Sequence, residues 1–303
     1  MTNSSLYFTS VAGLQNGAAV VGCHLVTEGL SPSITRFMFM HNGSWGHWFD
    51  IEDVVYSIGS KPRLTTGGKA NVTALTRGGR CWEMISGGEP NEVQLDVTGG
   101  YYMLNMSHID TDLFCCGVQN MVFQVQGQSV QRIDQGIFQP LINQVDRALE
   151  AIHGFTPSDV YAAGHSGKIW HWNGKAWKAE ASLTDLDLFA VHCSSSGRVI
   201  VAGGAGTVLC KDVNGTWNNL TVPEFSGCTI RNIAEFENTI YLAASDRLLR
   251  INRHAIEEVI VNELSEVKGR FYAISSDGER LWAAGDNALL CFDGTSWAGY
   301  IAP

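Results

Sequence analysis

One stretch of this sequence keeps returning. Asp159-Val160-Tyr161-Ala162-Ala163-Gly164 is echoed by Arg198-Val199-Ile200-Val201-Ala202-Gly203, then by Thr239-Ile240-Tyr241-Leu242-Ala243-Ala244-Ser245, and again by Arg280-Leu281-Trp282-Ala283-Ala284-Gly285. With residues 164, 203, 245 and 285 as anchors, successive copies lie 39, 42 and 40 residues apart. A period of that size holds four short strands and their turns, which is one blade of a β-propeller. A single repeat of this kind cannot bury its apolar faces alone, so neighbours must stack to make a core.

Each unit follows the same order. An apolar strand such as Leu188-Phe189-Ala190-Val191-His192 leads through a Gly/Ser/Asp turn to the strand that ends in small residues. A third, alternating strand follows, for example Ile169-Trp170-His171-Trp172. An Asn-Gly or Asp-Gly turn then opens a fourth strand near a Trp, at Asn42-Gly43, Asn173-Gly174, Asn214-Gly215 and Asp293-Gly294. Those dipeptides suit two-residue hairpins, whose central residues need positive φ. The small residues on the second strand let backbones approach closely, and the Trp is expected to fill the gap between blades at the rim.

The N-terminal half is degenerate but can be cut to the same pattern, with blade one built from strands at 6–11, 18–24, 36–41 and 45–51. The chain is therefore expected to be all-β, a single seven-bladed β-propeller spanning 1–303. Its four-stranded blades fall at about 4–52, 53–98, 100–135, 148–185, 186–225, 228–266 and 269–303. Because the first strand begins a blade and the last residues end one, the ring should close by packing, without strand exchange between the termini. Less regular loops are expected at 27–35, 59–70, 87–91 and 135–147.

Charge narrows the function classes. The net charge of −10 disfavours nucleic acid as a partner, since phosphate contacts need clustered Lys and Arg. It leaves room for a basic protein partner. No run approaches the 18 or so apolar residues of a membrane span, and the start Met1-Thr2-Asn3-Ser4-Ser5-Leu6 lacks a secretory pattern. A cytoplasmic, bacterial location is expected, with the eight cysteines as thiols.

The unit Asp159–Gly164, followed by a Gly-led strand and Asn-Gly-x-x-Trp, resembles the repeats of bacterial propellers in the broad WD-repeat, YVTN and sialidase-type (BNR) group. Members include enzymes, assembly factors and protein-binding scaffolds, so the resemblance implies the fold before any activity. Small members without a secretion signal are often encoded with secreted toxins. The resemblance thus implies an immunity role, in which an acidic face covers a basic toxin site and complementary charge speeds association.

Catalytic motifs are thin. Ser275-Ser276-Asp277-Gly278 begins like a sialidase Asp-box but lacks the Gly-x-Thr-Trp that should follow. A glycosidase needs two acids facing each other across a cleft, whereas Asp185/Asp187 and Glu257/Glu258 read as solvated charges. Cys115 and Cys116 are neighbours on a strand and point to opposite faces, and no metal-ligand spacing occurs. Gly203-Gly204-Ala205-Gly206 joins two strands without the Lys-Ser/Thr of a phosphate loop. Catalytic, metal and cofactor residues are therefore expected to be none. The expected function is non-enzymatic protein binding, sharpest as toxin inhibition, with a carbohydrate-acting propeller and an assembly scaffold as alternatives. Aromatic and Arg anchors dominate many interfaces, which makes His47, Trp48, Arg63 and Trp82, beside the irregular loops, the candidate partner-binding residues.

Overall fold

The computed structural model describes residues 5–26, 34–61, 71–85, 87–140, 147–252, 255–261, 270–286 and 288–303. They form seven four-stranded antiparallel sheets, each made of four strands consecutive in sequence. These blades run over 5–51, 55–94, 103–132, 149–179, 188–219, 230–258 and 271–301, arranged in a ring. Arg63, most of the 27–35 and 59–70 loops, and part of 135–147 lie outside the described residues.

Second strands sit deepest. Every residue of Val199–Gly203 and Leu281–Gly285 is buried, as expected of a strand covered on both faces by neighbouring blades. Seven apolar clusters fill the gaps between successive blades. One of them joins Ala190, Ile200 and Ala202 of blade five to Ile230, Ile233 and Leu242 of blade six.

The glycine that closes the repeat has a definite cause. A Cβ on Gly164 or Gly203 would collide with the backbone carbonyl oxygen of Ala148 or Asp187, immediately before the first strand of the same blade. Backbone cannot yield there as a flexible side chain could. In blade six the residue at this place is Ala244, which pairs with Ile230 as Gly164 pairs with Leu149. The anchor in that blade is thus 244, one residue before the Ser245 expected from sequence, and the spacings become 39, 41 and 41.

The rim Trp has a double role. Trp177 of blade four donates its indole N–H to the carbonyl of Ile133, just past blade three, at 2.8 Å. Trp217 of blade five reaches Glu180 at the end of blade four at 3.0 Å. Trp45 of blade one does the same to the carbonyl of Ile301 in blade seven at 2.7 Å. The ring closes with the device that joins its interior blades, helped by Phe8 N–H donating to the Asp286 carbonyl at 3.1 Å. Among the described residues no strand passes between blades one and seven.

Candidate functional site

The antiparallel order puts the turns between first and second, and third and fourth, strands on one face. The opposite face carries the second-to-third turns and the longer passages to the next blade. An axial cavity of about 300 Å³ runs between the faces, walled by the seven first strands.

Every first strand carries a β-bulge near its start, where one residue drops out of register with the second strand. The bulged residues are Thr9, Tyr56, Leu104, Glu150, Phe189, Arg231 and Tyr272. None is buried, although the residue before each, such as Val55, Leu188 or Ile230, is. A bulge re-aims a side chain that regular pairing would have directed between the blades. Here the result is a set of unlike side chains at one end of the first strands, of which Phe189 and Arg231 line the cavity. The Arg231 guanidinium stacks 4.5 Å from the Phe189 ring centroid, and the Glu150 carboxylate accepts from His165 Nε2–H at 2.9 Å.

Two residues deeper the wall becomes uniform: Val11, Ile58, Met106, Ile152, Val191, Ile233 and Ile274 are apolar in every blade and line the cavity. The far end is polar and uneven. His108, His153, His192 and Glu235 cluster on blades three to six, facing Ser60, Ser275 and Ser276. Several of these side chains clasp neighbouring blades. His153 Nδ1 accepts the Cys193 N–H at 3.1 Å, and His108 Nε2 lies 2.8 Å from Thr73 Oγ1. Ser275 Oγ accepts the Gly13 N–H at 3.1 Å across the ring seam. The Glu235 carboxylate accepts from Ser195 N–H at 2.7 Å and from Ser195 Oγ–H at 2.5 Å, and stands 3.5 Å from His192 Nε2.

Burial keeps this end from gathering positive charge. It holds His108 down at about 4 and His153 down at about 3, so both imidazoles are neutral at pH 7. Glu235 is held down at about 2, mainly by its bond to His192 and then by those from Ser195. All eight cysteines are free and buried, and burial pushes Cys23 up to about 12. Such thiols behave as small hydrophobes. Among the described residues no three His, Cys, Asp or Glu side chains gather as a metal site, and no helix is long and apolar enough to cross a membrane.

Of the residues singled out from sequence, His47, Trp48 and Trp82 lie elsewhere, on the outer strands of blades one and two, and Arg63 is outside the described residues. His47 is exposed and 3.0 Å from Asp50, whose carboxylate also takes two bonds from Arg36. Trp48 is the unpaired residue of a bulge in the fourth strand of blade one, between His47 and Phe49. Trp48 and Trp82 both pack on the apolar cluster that joins blades one and two. The structure thus brings the two tryptophans to one inter-blade seam and sets His47 apart in an ion cluster. Sequence reasoning passed over the axial histidines and Glu235. Residues 108, 153, 192 and 235 are 45, 39 and 43 residues apart, close to the blade period, and that recurrence was the available signal.

Fold and channel together define a seven-bladed β-propeller whose variable chemistry lies along its axis. No protein-family description matches the chain. Among characterised proteins it is 28% identical over 219 residues to the protein described as Immune protein Tsi7 of Pseudomonas aeruginosa, covering 70% of each chain. Among solved structures it is similar to a catalytically inactive virginiamycin B lyase of Staphylococcus aureus with quinupristin, at a TM-score of 0.72 and 10% identity over 94% of each chain. It is also similar to YCF48 bound to D1 peptide, at a TM-score of 0.63 and 12% identity over 100% of this chain and 94% of that one. At these identities the solved structures speak for the fold alone.

Proposed function

We propose that this chain is a non-enzymatic binding protein that neutralises a bacterial toxin by occupying it, acting in the cytoplasm. The observation that carries the reading is the 28% identity with an immunity protein over 70% of both chains. The charge supports it, since a net −10 favours fast association with a basic partner. The cavity supports it too: Glu235 is the one carboxylate among its lining residues, whereas carboxylate glycosidases need a facing pair. The Trp48 and Trp82 seam, with His47 and Arg63, belongs to this proposal as a second contact region.

The test is co-expression with the product of the neighbouring gene, assayed for toxicity. Restored growth together with a stoichiometric complex through gel filtration supports the reading. Rescue without a complex, or turnover of a glycan by the purified chain, overturns it.

A further inference from the structure

We infer that the polar end of the axial cavity is a binding site for an organic cation, an alkylammonium or a guanidinium group. Glu235 lines the cavity with its side chain 15% exposed, and among the described residues no Lys or Arg lies within ion-pair distance of it. Its partners, Ser195 and His192, supply hydrogen bonds, and the buried His108 and His153 stay neutral. The site therefore holds a carboxylate whose ion-pair neighbour among the described residues is an imidazole, His192 at 3.5 Å, and no Lys or Arg, in a setting where water is limited and a charge-assisted bond is strong. Ser60 and Ser107 add hydroxyl groups on the opposite wall, and the apolar residues one layer up, Ile233 and Val191 among them, suit the methylene stem of a long cationic chain.

The direction of approach follows from charge. Arg231 stands at the bulged end of the first strands, on the same strand as Glu235, four residues away, or about 13 Å at strand rise. It opposes a cation arriving from that side. The cation is either a free amine or a Lys or Arg side chain of the partner, and only the second source rests on the proposed neutralising role.

The test uses the whole purified chain at pH 7.5. N-acetyl-arginine methylamide, N-acetyl-lysine methylamide and spermidine are titrated while the His153 and His192 imidazole resonances are followed by NMR, with neutral N-acetyl-norleucine methylamide as control. The expected result is saturable shifts with the cations alone, weakened at least tenfold or so by Glu235→Gln. Should that variant fold poorly, Ser107→Phe, which fills the cavity and leaves the Glu235 cluster intact, abolishes the same shifts. Spermidine binding far more tightly than the capped amino acids identifies a free amine. Loss of toxin binding by Glu235→Gln identifies a partner side chain. Absence of saturable shifts with every cation, or equal binding by the native chain and Glu235→Gln, overturns the inference, even where toxin neutralisation stands. Cation binding without any toxin complex leaves this inference in place and removes the neutralising role.

Discussion

The seam between blades one and seven is where a ring of this kind is most open to challenge, and Trp45→Phe probes it directly. The substitution removes the 2.7 Å bond from the indole N–H to the Ile301 carbonyl. A hydrogen bond of this sort contributes about 0.5–1.5 kcal/mol net. The trimmed ring also leaves a half-buried packing site beside Phe8, 5.3 Å away. Losing about 40 Å² of contact, half of it already wet, costs about 0.5 kcal/mol more at about 25 cal/mol per Å². The expected loss is about 1–2 kcal/mol. With a urea slope near 3 kcal/mol/M, the unfolding midpoint falls by about 0.5 M. The assay is urea titration followed by far-ultraviolet circular dichroism, beside Trp177→Phe, which removes the equivalent bond to Ile133 within the continuous chain. Both variants should lose similar stability, the more buried Trp177 slightly more. A midpoint unmoved by Trp45→Phe alongside a clear loss in Trp177→Phe would refute the argument that one device both closes and joins the ring.

Other consequences can be checked in the same apparatus. Gly203→Ala drives a Cβ into the Asp187 carbonyl and should cost at least about 2 kcal/mol, whereas Gly127→Ala, at φ +59 with open space around it, should cost about 1 kcal/mol from backbone strain alone. Equal losses in chemical denaturation contradict the close-approach account. Trp82 buries an indole N–H without a hydrogen-bond partner among the described residues, so Trp82→Phe should be neutral or mildly stabilising in a thermal melt; a loss beyond about 1 kcal/mol counts against it. The folded Glu235 carboxyl lies at about 2, below its ordinary 4.5, so its contribution is complete above pH 4.5 and drains away as pH falls towards 2. Thermal midpoints of Glu235→Gln should thus be lower than native at pH 7, with the gap closing through that window. A gap that stays constant down to pH 2.5 excludes this linkage.

The ring of blades was readable because its constraints recur. Small residues at 162–164, 202–203 and 283–285 answer the same close approach, and Asn-Gly and Asp-Gly mark the same hairpin. The reading slipped at Ser245 because blade six carries Ala244 where blades three, four, five and seven carry Gly, so a conspicuous Ser drew the alignment one place along. The channel was harder to read. Its polar residues come one or two per blade, and His153 alone looks like any strand histidine until the His192 ring is found 4.7 Å away, tilted against it. The candidates Trp48 and Trp82 were drawn from aromatic content near irregular loops, a cue blind to how much of each ring a neighbouring blade covers. Bulges left no trace at all, because Thr9, Tyr56 and Arg231 share a position and nothing else.

That last indifference matters beyond the static picture. A bulged residue has no opposite number in its ladder, so exchanging it breaks no cross-strand pair, while the buried residues around it go on holding the blades. Single exchanges at the seven rim positions therefore leave the ladders standing, and the one pair among them that must change together is Arg231 and Phe189, whose side chains stack on each other.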